Sequence, residues 1–233
     1  MELQNGFNGI KRIFTAEILQ LVATLFSVVL SILGVFLAAA DPSSNQAKLL
    51  ALGVLAIGLI SGIIALVGLI MYYVGVGTAA KDSGHFKLAM IYLLIGILVT
   101  IAGVIVGSIT KLTWGATFKD ATTTVSSVAQ LLALICVING IHGFAEQKGD
   151  EKVKGMCKSF RLILLLIYLL IITASVLVVI FQSLDTIAAS VAGAMSIVAS
   201  VLSVIQYFFF LSLLARAKKM LASPSAPSVS QGE

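Results

Sequence analysis

The sequence predicts an all-α polytopic membrane protein: six transmembrane helices in three hairpins, with both termini on the cytoplasmic side (N-in/C-in). Three observations predict it. Apolar residues make up 59% of the 233-residue chain and charged residues only 11%, where a soluble domain has about 25% charged. Six apolar runs reach the ~20 residues that a helix needs to cross a hydrocarbon core. Twelve of the fifteen Lys and Arg fall in four short stretches, 11–12, 81–87, 148–161 and 216–219, and two apolar runs separate each stretch from the next. Lys48, Lys111 and Lys119 are the other three. Short cytoplasmic loops carry the excess of Lys and Arg, so the rich side is the inside.

The first span covers 18–40 and ends at Asp41-Pro42-Ser43-Ser44-Asn45, residues with turn chemistry. The second covers 49–74. An inner connection leads to the third, 88–110. An outer loop over 111–122 carries Trp114 as an interfacial anchor. The fourth span, 123–143, opens on a run of Thr and Ser, and its basic flanks require the crossing. A connector over 146–161 carries five basic and three acidic residues and reads as solvated, touching anionic headgroups. The fifth span, 162–182, and the sixth, 186–214, are joined by only three residues. Tyr72, Tyr73, Tyr92, Tyr168 and Tyr207 all fall near the inner ends of their spans, where a phenol reaches headgroups. Residues 1–221 make one membrane domain. The Ser- and Pro-rich tail over 222–233 reads as disordered and cytoplasmic.

Odd-numbered spans are entered through similar sequences: Gly9-Ile10-Lys11-Arg12, Gly84-His85-Phe86-Lys87 and Gly155-Met156-Cys157-Lys158. The spacing suggests three parallel repeats, one per hairpin. The spans carry glycine-bearing stretches such as 93–107 (LLIGILVTIAGVIVG) and 131–143 (LLALICVINGIHG), and the inner loops are basic. In this layout the chain resembles the HdeD acid-resistance family of small bacterial membrane proteins, which are likewise three short hairpins. The resemblance implies a bundle in the bacterial cytoplasmic membrane and an acid-stress role. It brings no functional residue with it.

Within the spans, small and weakly polar residues recur at heptad spacing. In the first they are Glu17, Gln20, Thr24, Ser27, Ser31, Gly34 and Ala38, all on one helical face. The third span has Gly96, Thr100, Gly103, Gly107 and Thr110; the sixth has Ala189, Gly193, Ser196, Ser200, Ser203 and Tyr207. The second has Gly58, Gly62 and Ala65, of which the first two form a GxxxG pair. Lipid offers helices no hydrophobic reason to associate, so such faces serve close packing and hydroxyl hydrogen bonds. The same faces suit a second copy or another membrane protein. The first-span stripe has a second reading, as a conduit lined by polar groups.

The middle of every span lacks Asp, Glu, Lys, Arg and His. A charge there costs several kcal/mol and is kept mainly for function. Charge-coupled carriers and voltage sensors are thereby excluded. Glu17, at the edge of its span, reads as an acid near the helix start. His85 and His142 lie at the inner interface, where their ordinary pKa, about 6.5, allows pH sensing. With Asp82, Glu146 and Cys157 they match no metal-ligand spacing, so no metal or other cofactor is expected. Catalytic motifs are absent, and so is any basic patch interleaved with aromatics that would take nucleic acid. Two cysteines and no CxxC give no disulfide framework. The polar start, 1–12, leads into a run too long for a signal peptide, and Ala38-Ala39-Ala40 is not expected to be cleaved. The expectation is a non-enzymatic accessory, scaffold or stress bundle, with the lipid bilayer as its partner. The alternative is a transport component or pore for a small uncharged or apolar solute.

Overall fold

A computed structural model describes the backbone of residues 3–39, 45–109, 114–181 and 185–223. Side chains are described within these, except those of 31, 35, 38–39, 46–47, 107–109, 114–121, 123–124, 170–181, 185–201 and 203. The turn at 41–44, the joint at 182–184 and tail residues 224–233 lie outside the described residues. So do the side chains of Ser31, Ala38, Gly107 and Trp114, and those of the sixth-span stripe before Tyr207.

The described residues form six helices and no strand: α1 (Gln4–Ala39), α2 (Asn45–Ala79), α3 (Gly84–Ile109), α4 (Trp114–Lys148), α5 (Glu151–Phe181) and α6 (Asp185–Ala222). The described helices contain no proline, so within them nothing removes a backbone donor or clashes with the preceding turn. Among the described residues, four helical stretches are long and apolar enough to cross a membrane: Gln4–Gly34, Lys48–Ala79, Gly84–Val106 and Val125–Lys148. Large apolar side chains stand outward along them, with Leu52 65% and Leu98 65% exposed. Apolar exposure on this scale marks an interaction surface in a soluble protein. Here it is compatible with an integral membrane protein.

Several helices overrun the apolar runs that suggested them. α1 starts fourteen residues before the first run, and α4 starts at Trp114, inside the expected outer loop. Helix propagation continues past the apolar stretch wherever no proline or cap stops it. The expected connector over 146–161 shrinks to a two-residue joint. Gly149, at φ 69°, ends α4. The Asp150 N–H donates to the Ala145 carbonyl at 2.9 Å, closing the helix end in a Schellman-type bond. Asp150 then caps α5, its Oδ1 accepting the Val153 N–H at 3.0 Å. The basic residues of that stretch thus line helix ends rather than a loose loop. Arg161 is half-buried and donates to Asn139 Oδ1 at 3.0 Å, tying α5 to α4.

Two compact units result. One contains α1 and α2; the other contains α3 to α6. In the second unit, Phe86 of α3 stacks on Phe144 of α4, with ring centroids 5.5 Å apart. Phe86 also fills the space beside Gly140 that a side chain there would take. Farther along, the third-span stripe meets α4: Thr100 and Ser126 hydroxyls lie 2.9 Å apart, and Ser126 Oγ donates to the Gly96 carbonyl at 3.3 Å. Gly103 faces Thr122 with no room for a Cβ. Phe160 of α5 stacks on Phe210 of α6 at 5.8 Å. Cys157 and Leu164 on α5, and Leu213, Leu214 and Ala217 on α6, are essentially fully buried.

Candidate functional site

The first-span stripe belongs to the α1–α2 unit, and its surroundings follow from how those two helices cross. Gly9 and Gly75 bring the backbones together. A Cβ on Gly9 would stand 2.6 Å from Ala79 Cβ and 2.7 Å from both the Ala79 nitrogen and the Gly75 carbonyl oxygen. A Cβ on Gly75 would stand 2.8 Å from Ile13 Cγ1 and 2.9 Å from the Ile13 nitrogen. The contact line continues through Gly68, tight against the Ala16 carbonyl, to Ser61, whose Oγ donates to the Ala23 carbonyl at 3.1 Å. Asp82, just past α2, closes the end. Its carboxylate accepts the Gly6 N–H at 2.7 Å and the Asn5 side-chain amide at 2.9 Å. A negative group there satisfies donors at the start of α1 and complements the helix dipole. Arg12 adds a bond to Thr78 Oγ1 at 3.0 Å.

Beside Ser61 the two helices border a groove of about 710 Å³ that runs from Gln20 and Leu69 to Leu30 and Gly58. Gln20, Thr24 and Ser27 line it from α1; Gly58, Ser61 and Gly62 line it from α2. Three of the stripe residues are therefore brought together. Thr24 Oγ1 donates to the Gln20 carbonyl at 2.9 Å and Ser27 Oγ to the Ala23 carbonyl at 3.0 Å, so both hydroxyls bond their own helix. Glu17 stands apart from the groove. It is buried, 7% exposed, within electrostatic reach of Tyr72 on α2. Since α1 begins at Gln4, Glu17 lies well beyond the first turn, out of range of the helix dipole. Gly34 has open space where a side chain would be. The Ser31 side chain lies outside the described residues.

The GxxxG pair is not a packing surface within this unit. Gly62 has nothing within 4 Å of a Cβ, and Gly58 only Leu30 Cδ1 at 3.9 Å. The close crossing uses Gly68, Gly75 and Ala79 instead, a 7- and 4-residue progression along α2 that heptad counting could have found. The three entry glycines also differ. Gly9 is locked in the crossing, whereas Gly84 and Gly155 have nothing near them.

His85 is exposed on the first turn of α3. His142 is half-buried on α4, its Nε2 enclosed and without a hydrogen bond among the described residues. No group of three His, Cys, Asp or Glu among the described residues could hold a metal ion. Asn139 joins α4 to α5, while Gln130 on α4 is exposed beside a small cavity of about 250 Å³ lined by Thr100, Thr122 and Ser126.

Comparison with known proteins adds no relative: no protein-family model, curated protein or solved structure matches the chain.

Proposed function

We propose that this chain is a non-enzymatic bundle of the bacterial cytoplasmic membrane, three helical hairpins with both termini in the cytoplasm, serving as an accessory, scaffold or membrane-stress component of the kind the HdeD-like layout implies. One observation carries the reading. In the apolar stretches of α1 to α4, glycines and hydroxyls make close helix contacts, as at Gly68, Ser61, Gly96 and Ser126, while many large apolar side chains of the same stretches, Leu52 and Leu98 among them, stand outward. Close packing of that kind holds helices together where lipid removes the hydrophobic drive.

Topology is tested by cysteine scanning in a Cys136→Ala, Cys157→Ala background. Asn45→Cys and Trp114→Cys should react with an impermeant maleimide on intact cells, and Gln147→Cys only after permeabilisation. The reverse pattern overturns the orientation.

The α1–α2 groove favours a second reading, a conduit for a small uncharged or apolar solute. The side chains of Gln20, Thr24, Ser27 and Ser61 in its otherwise apolar lining motivate it, and the same face could instead seat a second copy or another membrane protein. Reconstituted liposomes carrying the wild type and the Thr24→Leu, Ser27→Leu double variant separate these. Flux lost in the variant supports the conduit. Absence of flux, with loss of a co-purifying assembly in the variant, supports a packing face.

A further inference from the structure

At the joint between α4 and α5, the first turn of α5 and the last turns of α6 enclose a pocket of about 240 Å³. Val153 and Met220, 2% and 7% exposed, form its apolar floor. Lys152, Arg216 and Lys219 form its rim, and all three are exposed. Among the described residues none of the three side-chain cations has an ion-pair or hydrogen-bond partner. Lys148 Nζ donates to the Ser223 carbonyl at 3.1 Å, which fastens the end of α6 to α4 and sets a fourth cation beside the Ser223 wall.

We propose that this pocket binds a phosphate-bearing group. Three cations from two helices converge on one concavity, where like charges repel unless an anion lies between them. The Arg216 fork can take two oxygens of a tetrahedral oxyanion and the lysines a third and fourth. Asp150 is the opposing charge on the lining, but its Oδ1 is engaged by the Val153 N–H. Glu151 is paired with Lys154 at 2.6 Å and does not line the pocket. The α5 N-terminus is already capped by Asp150, so the side-chain cations carry the site. The concavity of about 240 Å³ has room for a phosphate-bearing headgroup. The phosphate can come from a lipid or from solution. Only the lipid source depends on the membrane placement proposed above.

The test uses the full chain in phosphatidylcholine nanodiscs. In one arm a small share of phosphatidate is added and its retention is read by native mass spectrometry. In the other, inorganic phosphate is titrated and its ³¹P line width is followed. Lys152→Ala with Arg216→Ala should weaken binding roughly thirtyfold, from about fivefold per cation removed. Lys81→Ala with Lys87→Ala removes equal charge from another basic stretch and should leave binding nearly unchanged. All four residues are exposed, so neither variant threatens the fold. Phosphatidate bound without inorganic phosphate assigns a lipid headgroup, and the converse a soluble phosphate. Binding in neither arm, or equal loss in both variants, overturns the site. A failed topology scan with intact phosphate binding would overturn the membrane placement alone.

Discussion

Gly9→Ala should weaken the α1–α2 pair although alanine is the better helix former. The new methyl would stand 2.6 Å from Ala79 Cβ and 2.7 Å from two backbone atoms, none of which can rotate away. Carbon atoms rest at about 3.5 Å or more, so the helices must part by roughly 0.9 Å at the crossing. Taken up at that end, the movement stretches the 2.7 Å bond from Gly6 to Asp82 beyond hydrogen-bond range. Overpacking costs about 1–3 kcal/mol, and immovable neighbours place this case in the upper half. Replacing glycine in a helix returns up to about 1 kcal/mol. The net loss is about 1–2 kcal/mol, or roughly 5- to 30-fold in the folded-to-unfolded ratio. Gly62→Ala is the matched control, because nothing lies within 4 Å of its Cβ and only the propensity gain remains. The two variants should differ by about 2–3 kcal/mol in an SDS titration from mixed micelles followed by circular dichroism. A Gly9→Ala protein as stable as Gly62→Ala would refute the close crossing.

Asp82→Ala should cost about 1–2 kcal/mol in the same titration, since two donors at the α1 start lose their acceptor; an unchanged midpoint would show that water replaces the cap fully. Gly140→Ala should destabilise the α3–α4 contact because Phe86 occupies the space, and Phe86→Leu should rescue it in the double variant. Strictly additive losses would mean the two residues do not share that space. Burial pushes the Cys157 thiol up to about 12, against the pull of the Arg161 guanidinium. The folded form therefore holds its proton more tightly than the unfolded chain, whose thiol titrates near about 8.5. The stabilisation is complete below that pH and is lost as pH rises toward 12. The wild-type unfolding midpoint should fall more steeply than that of Cys157→Ala between neutral pH and strongly alkaline pH, and parallel curves would contradict this.

The stripes show how far periodicity reaches. On α3, Gly96, Thr100 and Gly103 were legible as a packing face because nothing on that helix competes with them. On α2, heptad counting finds Gly58 and Gly62 as readily as Gly68 and Gly75, and only the second pair packs tightly against α1. A one-dimensional pattern places residues on a face without naming the helix opposite. The Gly149-Asp150 joint was legible in principle, as a C-terminal glycine followed by an N-capping acid, but the surrounding charges read more simply as a solvated connector.

The amino-acid sequence alone determined that the described chain is helical and that long stretches of it are apolar enough for lipid, because run length and the absence of proline act locally. Where the basic residues cluster was equally plain. Only the tertiary structure decided what each of these became. Gly9 became a backbone contact, Asp82 the cap of a helix start 76 residues away, and Lys152, Arg216 and Lys219 the rim of one pocket. Those roles depend on which helix ends meet, and that is set by packing between segments distant in the chain.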